Sequence, residues 1–323
     1  MEVFNNVYLM RDICGLNYNL DNYSCAEAGL WDVLKLRIQP GQETYTKILD
    51  VCATKGNISF LSWLTTNKVK GCMHWAMNLA AKEGHLEMVI WLSENRTEGC
   101  TTRAMDYASG NRHLDVVRWL HEHRTEGCTT HAMDWAARDG YLEVVKWLHE
   151  NRTEGCTTDA MDFASGKGHL DIVKWLNNNR TEGCTTYAMD SAAEKGQLEI
   201  VKWLHENRTE GCTTNAMDWA ARNGYLDVVK WLSENRTEGC TTDAMDWAAR
   251  NGHLKVVNWL FENRFEGCTR WAMDWATEYG HLNVVKWLYE NTSYGGTRDA
   301  IKLATFNGHV QVVAFLSAHR SWD

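Results

Sequence analysis

A Glu-Gly-Cys tripeptide recurs with its cysteine at Cys100, Cys128, Cys156, Cys184, Cys212, Cys240 and Cys268, always at the same spacing. Cys72 lies one period earlier, and Gly296 takes the place one period later. A tryptophan column keeps that period from Trp63 to Trp287 and ends in Phe315, and a methionine column runs from Met77 to Met273 and ends in Ile301. No composition value constrains the chain as strongly. Each unit has to be one small supersecondary element, and the units have to stack along one axis so that neighbours bury what no unit can bury alone. Ten units follow from the columns, and a weaker eleventh is read where Cys25 to Lys35 mimics Ala136 to Lys146.

One unit, Thr129 to Cys156, shows what the element is. Ala132, Met133, Ala136 and Ala137 make one stripe of a first helix. Thr129 or Thr130 is placed to cap it, because a hydroxyl can accept from the free amides of a first turn. Gly140 ends that helix by taking a left-handed conformation at low cost. Leu142, Val144, Val145, Trp147 and Leu148 form the stripe of a second helix, and Gly155 breaks it before the next unit. Each helix is too short to be stable alone, so its stripe must be covered by neighbouring pairs. A single proline, Pro40, suits an almost wholly helical chain.

The stretch from Ala216 to Leu232 resembles the core of an ankyrin repeat, in which a first helix, a Gly-His step and a Leu-x-Val-Val second helix follow one another. Gly84, Gly140, Gly168, Gly196, Gly224, Gly252, Gly280 and Gly308 match the family's glycine between the helices, and His85, His169, His253, His281 and His309 match the histidine after it. The resemblance covers roughly residues 17–320. It departs from the family in three ways. The unit is shorter than the family's, Thr-Thr stands in place of Thr-Pro, and Asp106, Asp134, Asp162, Asp190, Asp218, Asp246 and Asp274 occupy the histidine position of the first helix. The lost residues come from the segment where the family builds a projecting β-hairpin, so a short loop is expected there. This shortened, tryptophan-rich form resembles ankyrin repeat proteins of giant viruses that infect amoebae and of some protists. The fold expectation is all-α: an α-solenoid of about eleven stacked helix-pair repeats with little or no β-hairpin. A terminal cap and degenerate first repeat are read at 1–43, with the cap's first helix at 1–16, then 28-residue repeats at 44–296 and a C-terminal capping repeat with a polar end at 297–323.

Chemical function finds little support. The net charge of −9 comes without a basic run, which argues against nucleic acid. No secretory signal and no apolar span of membrane length are seen, so a cytoplasmic protein (host cytoplasm or virion if viral) is expected. The cysteines lack the local clustering of zinc sites, and stacked units lie farther apart than a disulfide spans, so they read as free thiols in a reducing compartment. The Trp63–Trp287 column reads as a core ladder, while Trp135, Trp219, Trp247 and Trp275 read as half-buried and able to reach a binding face. The Asp column reads as an acceptor for amides of adjoining loops, and Arg152 with Glu154 as one of a series of surface ion pairs worth about 0–1 kcal/mol each. A regular ladder has no singular pocket, so neither enzyme activity nor a cofactor, metal or small-molecule substrate is expected. Five Asn-Arg-Thr triplets match the glycosylation acceptor pattern, and repeat copying accounts for them.

Within one chain, constant columns build the scaffold and variable columns carry information. One variable column precedes Ala-Met: Trp75, Arg103, His131, Asp159, Tyr187, Asn215, Asp243 and Trp271. A second precedes the glycine between the helices and contributes Arg138, Asp139, Glu194, Arg222, Arg250 and Tyr279. The resemblance implies that both ends of the first helix line a concave, partner-binding side. Aromatic and arginine residues on a rigid surface suit a protein groove. The expected function is a protein-binding scaffold or adaptor with an unknown protein partner, a host protein if the source is viral. The rival reading is a structural subunit of a larger assembly or virus particle. One unit breaks its own pattern: Arg112 stands where the glycine belongs, which predicts an early end to that first helix or a kink.

Overall fold

The computed structural model describes residues 21–39, 46–67 and 75–319. Among these residues there are 22 helices in eleven consecutive pairs and no strand. The contacts divide the chain into two compact units, Met1–Ala132 and Met133–Asp323. The first holds the pairs α1 (Asn22–Glu27) with α2 (Trp31–Arg37), α3 (Thr46–Thr54) with α4 (Ile58–Thr66), α5 (Ala76–Lys82) with α6 (Leu86–Asn95), and α7 (Arg103–Gly110) with α8 (Leu114–His123). The boundary falls within α9 (His131–Arg138), which pairs with α10 (Leu142–Asn151). The second unit continues through α11 (Asp159–Lys167), α12 (Leu170–Asn179), α13 (Thr186–Glu194), α14 (Leu198–Asn207), α15 (Thr214–Arg222) and α16 (Leu226–Asn235). It closes with α17 (Thr242–Arg250), α18 (Leu254–Asn263), α19 (Arg270–Glu278), α20 (Leu282–Asn291), α21 (Arg298–Phe306) and α22 (Val310–Ala318). The cap helix expected at 1–16, Cys72 and the last residues of the polar end lie outside the described residues.

Within each unit the first helix of a pair packs mainly on the first helix of the next, and the second helices touch one another less. The residue pattern explains this. Ala216, Ala220 and Ala221 on α15 are at most 1% exposed, and their small side chains let the helices approach closely. Met217 fills the space between them, while Val228, Val229 and Leu232 on α16 close the other side of the pair. Burying each larger apolar side chain contributes about 1.5–3 kcal/mol, so the repeated stripe supplies most of the stability.

A second set of contacts sets the register between repeats. The carboxylate of Asp190 accepts hydrogen bonds from the backbone N–H (2.8 Å) and the hydroxyl (2.7 Å) of Thr213 in the next repeat. The Thr213 hydroxyl in turn accepts from the Asn215 N–H at 3.1 Å. The first threonine of each pair is therefore the one that caps the first helix and also docks on the preceding repeat. The same arrangement recurs from Asp106 with Thr129 to Asp246 with Thr269. In the first unit Asn78 takes the aspartate's place, accepting the Thr101 N–H at 3.0 Å and donating to its hydroxyl at 3.0 Å. Burial pushes the Asp218 carboxyl above its ordinary range, against the pull of the Thr241 bonds.

The loops after the second helices are short, as the missing hairpin residues require. In seven of them, from Arg96 with Glu98 to Arg264 with Glu266, an arginine grips the glutamate two residues on, and the arginines are only 17–26% exposed. These pairs are more enclosed than surface ion pairs, because Arg124, Arg180, Arg208, Arg236 and Arg264 each lie over the loop of the preceding repeat; Arg180 covers Gly155 and Cys156 in this way. Partial burial raises the Glu182 carboxyl, but Arg180 and the surrounding backbone amides outweigh it and hold the group down at about 2. A folded value below the unfolded 4.5 contributes stability that is present above pH 4.5 and is lost as pH falls toward 2. Glu182→Gln is accordingly expected to cost about 1–3 kcal/mol at neutral pH. Urea midpoints of variant and parent should then converge as the pH approaches the folded value.

Two further expectations change. The Trp63–Trp287 column is half-buried along its whole length and does not form part of the core. Its position on the second helix points toward the flank of the stack, where His149, His205 and Phe261 meet Trp175, Trp231 and Trp287 edge-on at 5.0–5.2 Å. The early helix end at Arg112 does not occur: α7 runs to Gly110, and Arg112 itself adopts φ 66°. It is the only non-glycine with positive φ among the described residues, so neighbouring packing has overridden the side-chain preference there.

Candidate functional site

Both variable columns lie on the first helices, at the start and at the last turn, so the stacking of those helices brings them together within each unit. In the first unit the Arg103 guanidinium sits 4.8 Å above the Trp75 ring, and both side chains are exposed. His131 is held by its own cap, its Nδ1 2.9 Å from the Thr129 hydroxyl. In the second unit Arg138 is neutralised by its neighbour Asp139, with Nε 3.2 Å from both carboxylate oxygens. Glu194 is paired with Lys195 at 3.1 Å. Asp159 is exposed, whereas Asn215 and Asp243 are half-buried and join no aromatic contact.

The remaining residues converge. Tyr187, 41% exposed, stands edge-on to Phe163 at 6.2 Å and to Trp219 at 6.4 Å. Arg222 lies 5.7 Å above Trp247. Arg250 lies between Trp275 at 5.5 Å and Tyr279 at 5.1 Å, and donates to the Tyr279 hydroxyl at 2.9 Å. Trp271 stacks on Trp275 at 5.4 Å and is 52% exposed, so its outer face is open. The variable residues of successive repeats thus merge into one aromatic and cationic strip on α11, α13, α15, α17 and α19. The half-buried column of Phe163, Trp219, Trp247 and Trp275 is the floor of that strip, and its helical spacing from the exposed column is the signal for it. The second variable column also carries Asn223 and Asn251, which read from the sequence as contact positions and serve here to tie helices together. Asn223 donates to the Glu194 carbonyl at 3.1 Å and Asn251 to the Arg222 carbonyl at 2.7 Å, tying the last turn of each first helix to the previous one.

The cysteines do not take part. Burial is the main cause that pushes the Cys156, Cys212 and Cys240 thiols up to about 12 and Cys184 to about 11. Alkylation by iodoacetamide at mildly alkaline pH is expected to be slower by about a hundredfold or more in the folded protein than in denaturant. Mass analysis of labelled peptides checks this, with Cys100 and Cys268, which are less covered, labelled first. Among the described residues no three His, Cys, Asp or Glu side chains are grouped so that they could hold a metal ion, and no helix is long and apolar enough to cross a membrane.

Comparison with protein families identifies the architecture. A family model described as "Ankyrin repeats (3 copies)" matches residues 160–246, 189–270 and 220–299, and one described as "Ankyrin repeats (many copies)" matches 73–121 and 133–176. Together these matches span more than half of the chain. The protein belongs to the ankyrin repeat family. A comparison with curated proteins gives no match. Ankyrin repeats are in general protein-interaction scaffolds and are typically non-enzymatic. In this ankyrin repeat chain the aspartate–threonine lock and the enclosed arginine–glutamate loop hold repeats in register, which leaves the exposed ends of the first helices free to vary.

Proposed function

We propose that the protein is a binding scaffold or adaptor that takes a protein partner along the first-helix face. The observation that carries this reading is the strip from Tyr187 to Tyr279, where large aromatic side chains are held rigid by mutual stacking yet remain two-fifths to one-half exposed. Pre-ordered aromatic and arginine groups lose little freedom on binding and supply the residue types that dominate interface energetics. The constant positions of the repeat are already committed to packing, so variation along the strip changes the partner without changing the scaffold. A partner from the protein's own cell, or from a host cell if the source is viral, suits this reading.

The rival role, a structural subunit, draws on the last pair, where Phe306 is 89% and Val310 74% exposed. One experiment separates the two. Affinity capture with mass spectrometry, run alongside sedimentation velocity, is expected to give a monomer whose captured partner is lost on changing Tyr187 and Trp271 to alanine. Capture that is unchanged by those substitutions would sink the proposed face, and self-association abolished by Phe306→Glu would favour the subunit.

A further inference from the structure

Arg222 and Arg250 differ from Arg138, which holds the same column position, and from the loop arginines of the second unit. The loop arginines are each gripped by a glutamate, and Arg138 is gripped by Asp139. Neither Arg222 nor Arg250 has a carboxylate within 4.0 Å among the described residues. Both are nonetheless ordered, by aromatic faces under their guanidinium planes and, for Arg250, by the Tyr279 hydroxyl. Stacking occupies the plane of a guanidinium and leaves its in-plane N–H edge available, the edge that engages a carboxylate with two parallel bonds. The two residues hold the same column position in consecutive repeats, on helices α15 and α17 packed against each other. Packed helices set them about 8–10 Å apart.

We infer that this strip takes an acidic peptide segment of its partner, with one carboxylate on Arg222, a second on Arg250 and an apolar side chain against Trp271. This rests on the binding reading above and adds the chemistry of the partner. A segment in polyproline II conformation returns to the same face every third residue with a rise of about 3.1 Å per residue, so acidic residues three apart match the spacing of the arginines. The flanking charges favour a short acidic motif over a continuous polyanion. The same column carries Glu194 one repeat before Arg222 and Glu278 one repeat after Arg250, so a nucleic-acid backbone crossing the strip would meet carboxylates on both sides. The overall net charge of −9 opposes it further.

The test uses the full chain and a displayed library of random peptides. Selection on the parent protein is expected to enrich sequences with Asp or Glu three apart beside an aromatic or aliphatic residue. Binding of the best of these peptides should weaken by about tenfold or more on Arg222→Gln and again on Arg250→Gln. Selection on the double variant Arg222→Glu with Arg250→Glu should turn to basic sequences. Both side chains lie outside the core, and an unchanged circular dichroism melt confirms the fold of each variant. Peptides that lack acidic residues, or an empty selection, overturn the inference. If such peptides are still lost on Trp271→Ala, the binding face survives and only the acidic partner falls. If binding ignores the arginines, Trp271 and Tyr187 alike, the face falls too. Tighter binding of a labelled oligothymidylate at physiological salt, abolished by the double variant, would replace the peptide by a single-stranded nucleic acid.

Discussion

Asp218→Ala is expected to destabilise the second unit by about 2–4 kcal/mol, because it removes the acceptor of two charge-assisted hydrogen bonds at once. The side chain is 3% exposed, and its oxygens take the Thr241 N–H at 2.8 Å and the Thr241 hydroxyl at 2.9 Å. Alanine leaves that amide without its partner and frees the hydroxyl that caps α17 through the Asp243 N–H, so the damage reaches the next helix. The unfavourable burial of the carboxylate offsets part of the loss, which keeps the figure below the sum of two such bonds. Asp218→Asn should cost under about 1 kcal/mol, since an amide keeps the carbonyl acceptor and reverses only the second bond. Asn78 already does this in the first unit of the same chain. Urea unfolding followed by hydrogen exchange at the α15–α17 step checks both values. A cost for alanine no greater than for asparagine would show that the lock contributes little. Because repeats couple mainly to their neighbours, exchange should rise locally before the chain unfolds as a whole.

The second large effect is expected at Gly224, and Gly308 provides its control. Both lie at the turn between paired helices with nearly equal left-handed backbones, φ 81° and 78°. An alanine Cβ at Gly224 would stand 2.7 Å from Nδ1 of His253 in the next repeat, whereas at Gly308 it would meet nothing within 4 Å. Gly308→Ala should therefore cost only the left-handed strain, about 1–2 kcal/mol. Gly224→Ala should cost that amount plus the displacement of the His253 ring, about 2–4 kcal/mol in total. Burial already holds His253 below its ordinary titration range, so the ring sits in its seat uncharged at neutral pH. Denaturant midpoints of the two variants give the comparison. Equal losses at the two sites would show that the histidine moves aside freely and that the glycine is needed for its backbone alone.

Much of this architecture can be read from the chain because the repeat states each rule many times. Gly224 marks a helix end in any single unit, and the matching glycines of the other units remove the ambiguity. The aspartate column is legible as an acceptor because a buried carboxylate at a helix start has few other uses. The Trp63–Trp287 column reads as core, wrongly, because a helical stripe gives direction but not depth; only the neighbouring helices show that the indole edge stays at the flank. Arg112 misleads for a related reason. Local preference disfavours a left-handed arginine, and the packing of α7 and α8 imposes it.

The binding strip divides the same way. Which positions vary, and that they share the ends of the first helices, follows from comparing units within the chain. Which of them act together does not. Arg138 and Arg222 occupy identical column positions, but Asp139 neutralises one while Trp247 carries the other. The sequence by itself determined the period, the helix pair and the surface left free to vary, because those depend on patterns local to one unit. Only the tertiary structure decided which charges stay unpaired and which aromatic faces remain open, because those depend on side chains of successive repeats that meet when one repeat is laid on the next.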